Sequence, residues 1–141
     1  MKITSRFTVA VHTLLVIQTY GKTQKVTSDF IAASVNVNPV VIRRTMQSLK
    51  AAGMIEVKAG CGGASIAKDL SEITLYDIYM AVDSVNGDIF HFHENPNPAC
   101  IVGKNIHFLL DSHLADAQAA LENELKKVTL LDLTRELNAK Q

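Results

Sequence analysis

Cysteine is scarce: Cys61 and Cys100 are the only two in 141 residues, 39 positions apart. That spacing offers neither a zinc ribbon nor a paired-cysteine redox motif. Long apolar runs are missing as well. No stretch of about 18 apolar residues exists, so no transmembrane helix and no membrane partner are expected. Lys2 and Arg6 interrupt any secretory-leader pattern. A cytoplasmic location follows as the expectation, with both cysteines reduced at rest. The chain has no catalytic-triad signature, phosphate loop or HExxH helix, so it is not expected to be an enzyme. An excess of charge of either sign is absent too, with 14 basic and 14 acidic side chains.

What is present suits a folded chain. It is 48% hydrophobic and 20% charged, outside the range of disordered polymers. The length fits one domain with an appended dimerisation element. The zero net charge conceals an asymmetry. Residues 1–68 hold nine basic and two acidic side chains, a net of +7, and residues 69–141 hold five and twelve, a net of −7. A basic half joined to an acidic half suits a polyanionic partner for the first half alone. Chance clustering of solvated charges gives the same sum, so position within a motif has to decide.

Phe7, Ala10, Val11, Leu14 and Ile17 recur at helical spacing and predict a helix over 4–19 that ends at Gly21. Thr27 caps a short helix over 28–33. Residues 34–37 turn, and Asn38-Pro39 places a cap ahead of a proline at the first helical position. The third helix runs to Ala52 with Ile42, Met46 and Leu49 as its buried stripe, and Gly53 stops it. A strand over 54–57, a glycine-rich tip over 58–63 and a return strand over 64–67 follow. Thr74 with Asp77 forms a capping box for a helix reaching about residue 85. Two prolines keep 91–100 irregular. A long helix over about 103–127 carries Ile106, Leu110, Leu114, Ala117, Leu121 and Leu125, widened by Leu109. Thr129 and Asp132 cap a last short helix. The fold class is mainly α with a small β-hairpin wing: a winged helix-turn-helix plus a long C-terminal dimerisation helix. The expected division is 1–85 for the winged head, 86–104 for an effector loop and 105–141 for the dimerisation and C-terminal helices.

In a helix-turn-helix the second helix of the pair enters the major groove of double-stranded DNA. Here that helix begins at Asn38. Arg43 and Arg44 lie off its buried stripe, and arginine reads guanine through a bidentate fork. Gln47 is one turn further on and can reach an adenine or a phosphate. Asn38 and Thr45 are candidate phosphate contacts. Lys2, Thr4, Ser5 and Arg6 flank the start of the first helix, where free N–H groups favour phosphate. Lys58 precedes the wing tip and suits the minor groove or its phosphates. The alternative is a winged-helix protein-interaction module that binds no DNA. Steep salt dependence on duplex DNA separates the two.

The whole chain resembles the Rrf-two family of bacterial regulators. The resemblance rests on Met1 to Arg6, on Ser48-Leu49-Lys50-Ala51-Ala52-Gly53-Met54-Ile55 followed by Gly60-Cys61-Gly62-Gly63, on Glu72 to Ile78, and on Asn95-Pro96-Asn97-Pro98-Ala99-Cys100-Ile101-Val102-Gly103. It implies a homodimer whose long helices cross, here through about 105–128, and repression by occupying a palindromic operator. The sequence departs from the family at Ala59, where the family often has an arginine before the first wing glycine. Arg43 and Arg44 stand where better-known members place Glu and Gln, which implies a different operator.

Cluster-binding relatives use three closely spaced cysteines in the effector loop, whereas this chain has only Cys100 there. No cofactor, and no iron–sulfur cluster of the family's usual kind, is therefore expected. A metal-responsive alternative would combine Cys100 with His91, His93 or His107. Histidines near a loop are also ordinary surface groups. The remaining reading is redox sensing at Cys100, because a helix N-terminus lowers a thiol's pKa. The competing reading is a small buried hydrophobe.

Overall fold

The computed structural model describes residues 4–59, 63–83, 90 and 93–141. Lys2, Cys61 and His91, together with the tip of the expected wing, lie outside the described residues.

Helix α1 (Ser5–Tyr20) starts at Thr4, whose hydroxyl accepts the Arg6 N–H, and buries Ala10, Thr13, Leu14, Val16 and Ile17. Gly21 follows it as the C-cap, where the sequence places the end of the helix, with a right-handed φ of −63°. Helix α2 (Ser28–Val35) is capped by Thr27 and runs two residues further than expected, because Asn36 supplies the left-handed turn at φ 64°. Helix α3 (Pro39–Ala51) begins at Asn38, whose side chain accepts the Val40 N–H, and buries Ile42, Thr45, Met46 and Leu49. Gly53, at φ +76°, lets the chain turn out of α3.

Strands β1 (Ile55–Val57) and β2 (Ala64–Ile66) pair antiparallel, with Ile55 opposite Ile66 and Val57 opposite Ala64. Lys58 N–H donates to the Gly63 carbonyl at 3.0 Å, and Ala64 N–H to that of Val26 at 3.0 Å. The hairpin is thus fastened to the segment ahead of α2.

Helix α4 (Leu75–Val82) opens on the expected Thr74–Asp77 capping box and ends three residues earlier than expected, at the cap Asp83. Helix α5 (Ile101–Lys126) starts two residues before the expected position, with Cys100 as its N-cap. It spans 26 residues, about 39 Å at 1.5 Å per residue, and contains no buried residue. Helix α6 (Leu130–Ala139) carries the Thr129–Asp132 capping box. It turns back to the start of α4: Leu130 N–H donates to the Ile73 carbonyl at 2.7 Å, and Leu75 N–H to that of Val128 at 2.9 Å. Leu130 sits fully buried in the same core as Leu14, Ile31, Ile42, Leu49 and Ile78. Six helices and one two-stranded hairpin form the described fold.

Candidate nucleic-acid interface and effector loop

Packing of α1 and α2 under α3 decides which α3 side chains face outward. Ile42, Met46 and Leu49 point into the core, leaving Arg43, Arg44 and Gln47 exposed. Arg43 Nη2 lies 3.8 Å from Asp29 Oδ1 on α2, with both side chains more than half exposed. An exposed pair of this kind contributes at most about 1 kcal/mol, so it orients Arg43 without holding it back. Arg44 lines a cleft of about 270 Å³ with Arg6, Val41, Thr45, Ser48 and Val82.

Thr45 is not the surface hydroxyl the sequence reading proposed. It is buried, and its hydroxyl donates to the Val41 carbonyl at 2.9 Å. Its position three residues after Ile42 puts it on the inward stripe, which polarity alone obscured. Asn38 is exposed, with Oδ1 accepting the Val40 N–H at 2.9 Å. That leaves its amide N–H groups pointing away from the cap.

Ser5, Arg6 and Lys58 are exposed. Arg6 Nε lies 3.2 Å from Thr4 Oγ1 and 3.4 Å from Asp83 Oδ1. Two features escaped the sequence reading. Val40 and Val41 stand exposed at the start of α3, the type of apolar surface that meets thymine methyls. Their position off the Ile42 stripe was the available signal. The other is Asp83, 79 residues from Thr4 in sequence, for which no local signal existed.

Outside the helix-turn-helix, Cys100 is an exposed free thiol. Its sulfur closes no capping hydrogen bond, yet the Gly103 backbone N–H, followed by that of Val102, favours the thiolate and holds the pKa below the ordinary thiol value. It is therefore not the buried hydrophobe of the competing reading. The preceding loop is tightly turned. Asn97 Oδ1 accepts the Ala99 N–H at 2.9 Å, and the Asn97 carbonyl accepts that of Cys100 at 3.2 Å. A Cβ at Gly103 would collide with that same Asn97 carbonyl oxygen, so glycine is required for the loop to lie across the first turn of α5.

His93 stacks on His107, with ring centroids 5.6 Å apart, and His107 Nδ1 sits 3.1 Å from Asp111 Oδ1. Among the described residues no group of three or more His, Cys, Asp or Glu side chains is arranged to hold a metal ion. No described helix is long and apolar enough to cross a membrane.

A helix-turn-helix whose recognition helix exposes two arginines, followed by a hairpin wing, defines a winged-helix regulator. The chain belongs to the Rrf2 family, described as iron-dependent transcriptional regulators, whose model matches residues 3–136. It is 44% identical over 135 residues to "Putative HTH-type transcriptional regulator YwnA" of Bacillus subtilis, covering 96% of this chain and 98% of that protein. A solved structure described as "a putative DNA binding protein" superposes with a TM-score of 0.74 at 40% identity, over 92% of this chain and 98% of the other. CymR, the global cysteine regulator of B. subtilis, shares the fold at a TM-score of 0.69 and 18% identity, over 96% and 97% of the two chains. Members of this family are transcriptional regulators rather than enzymes.

The family description raises the question of iron. A four-ligand cluster needs several thiolates, and the stretch ahead of α5 supplies one, Cys100. The donor set does not fit a cluster held by this loop.

Proposed function

We propose that the protein is a homodimeric, cytoplasmic repressor that binds a palindromic operator through α3 and the wing and is released by a change at Cys100. The observation that carries the DNA-binding part is the outward presentation of Arg43, Arg44 and Gln47 on the second helix of the helix-turn-helix, within a half of net charge +7. Arg43 and Arg44 read base edges, while Ser5, Arg6, Asn38 and Lys58 position the backbone. Lys2 belongs with these by its place in the sequence. The head runs to about residue 85, the sensing loop covers 86–104, and α5 is the dimerisation element, with α6 folded back onto the head. Two-fold symmetry would match the two half-sites. Cys100, exposed and with a lowered pKa, is the group suited to oxidation to a sulfenic acid or an intersubunit disulfide.

The test selects a duplex from a random pool with the wild-type protein, then compares it with the variant carrying Arg43→Ala and Arg44→Ala. Each bidentate guanine contact is worth about 1–3 kcal/mol, so specific binding should vanish while the circular-dichroism spectrum and oligomeric state persist. Unchanged affinity for the selected duplex would refute base reading by α3. Affinity that hardly depends on salt would favour the protein-interaction module instead.

A further inference from the structure

We infer that Asp83 is a positioning residue for DNA binding: its buried carboxylate holds Arg6 so that Arg6 and Arg44 together clasp one backbone phosphate. The inference rests on the proposed DNA-binding reading and adds to it a residue outside the helix-turn-helix.

Asp83 caps α4, and its side chain is 0% exposed. A buried carboxylate is costly unless its oxygens are satisfied. Among the described residues its hydrogen-bond donors come from Thr4, at the start of α1. Thr4 N–H donates to Oδ2 at 3.3 Å and the Thr4 hydroxyl donates to Oδ1 at 2.5 Å. Arg6 Nε in turn donates to that Thr4 hydroxyl oxygen at 3.2 Å and forms an ion pair with Oδ1 at 3.4 Å. Arg6 is therefore engaged along its Nε edge, while its side chain remains 60% exposed. A guanidinium fixed at Nε keeps its Nη groups directed outward, the orientation a bidentate phosphate contact uses.

Arg6 shares the 270 Å³ cleft with Arg44 and Ser48. Among the described residues Arg44 makes no ion pair. Two guanidinium charges and one carboxylate leave the cluster at +1, which one phosphodiester neutralises. Arginines lining one small cleft repel each other until such an anion arrives.

The sign of one substitution tests this. Asp83→Asn keeps the shape and an acceptor oxygen for Thr4 but removes the charge that holds Arg6. If Asp83 were only a negative charge beside the DNA, its removal would tighten binding. As a positioning residue, its removal weakens it.

The probe is a mixed-sequence duplex of about 30 base pairs, roughly three helical turns, titrated across salt concentrations with the full chain. Asp83→Asn should weaken binding and reduce the slope of log affinity against log salt by about 0.9 per bound subunit, as Arg6→Ala does. In an Arg6→Ala background Asp83→Asn should weaken binding no further. Tighter binding by Asp83→Asn, or an equal loss with and without Arg6, overturns the inference; the latter is what a merely structural role gives. Salt-dependent binding by the wild type, with Arg6→Ala weaker and Asp83→Asn unchanged, overturns the inference and leaves the DNA-binding reading intact. Failure of the wild type to bind with salt dependence overturns both.

Discussion

Phe108→Ser should dissociate the proposed dimer. Phe108 is 85% exposed, on a helix with no fully buried residue. Full burial of a phenylalanine is worth about 1.5–3 kcal/mol. Because 85% of that surface is still available, each copy can contribute about 1.3–2.6 kcal/mol on association. A two-fold interface counts the residue twice, giving roughly 3–5 kcal/mol for the pair. At about 1.4 kcal/mol per tenfold, the dimer dissociation constant should rise by about two to three and a half orders of magnitude. The head should be unaffected, since Phe108 touches none of the buried core. Sedimentation equilibrium over a concentration series measures the constant directly, and thermal melting of the monomer checks the fold. An unchanged dissociation constant, or a wild type that stays monomeric at high micromolar concentration, would refute the assignment of α5 as the interface.

Two further outcomes follow from the same structure. Thr13 is fully buried and its hydroxyl has no hydrogen-bond partner among the described residues. Thr13→Val keeps the shape and removes an unsatisfied group, so stability should rise by about 1 kcal/mol in denaturant melts; a loss of stability would show that the hydroxyl is satisfied in solution. The lowered Cys100 pKa means the thiolate persists to lower pH than for an ordinary thiol. Alkylation should then gain rate with an inflection on the acid side of a denatured control, and Gly103→Ala, which drives a Cβ into the Asn97 carbonyl, should move that inflection back up. An inflection identical to the denatured control would refute the helix-terminus effect.

Much of the fold was legible because its signals are local. Thr27, Asn38, Thr74 with Asp77 and Thr129 with Asp132 each close a cap within three residues, so a short window of sequence contains the whole interaction. Boundaries failed where the deciding residue is an unusual one. Asn36 extends α2 by taking the left-handed turn, and Cys100 starts α5 without a capping oxygen, so Gly103 was read as the beginning. Thr45 was misplaced by polarity although its spacing from Ile42 and Leu49 is that of the core stripe. The Asp83–Thr4–Arg6 cluster was beyond reach for a different reason. It joins the two ends of the head across 79 positions, and only the packing of α4 against α1 creates it.

The long helix shows what packing adds to periodicity. Its apolar stripe from Ile106 to Leu125 was legible, and its length argued for a partner. In the structure Ile106, Leu114, Leu121 and Leu125 on that stripe are half-buried by the chain itself. The two most exposed apolar residues lie elsewhere: Ile101 and Phe108 are seven positions apart. Seven residues return nearly to the same face, whereas Phe108, two residues beyond Ile106, is about 200° round the helix at 3.6 residues per turn. The helix therefore carries apolar surface on two sides, and the head can shelter only one. A single stripe is satisfied by intrachain packing, whereas a second, opposed one is the surface that the proposed dimer would cover. The case for a partner thus rests on which face Phe108 occupies rather than on the length of α5.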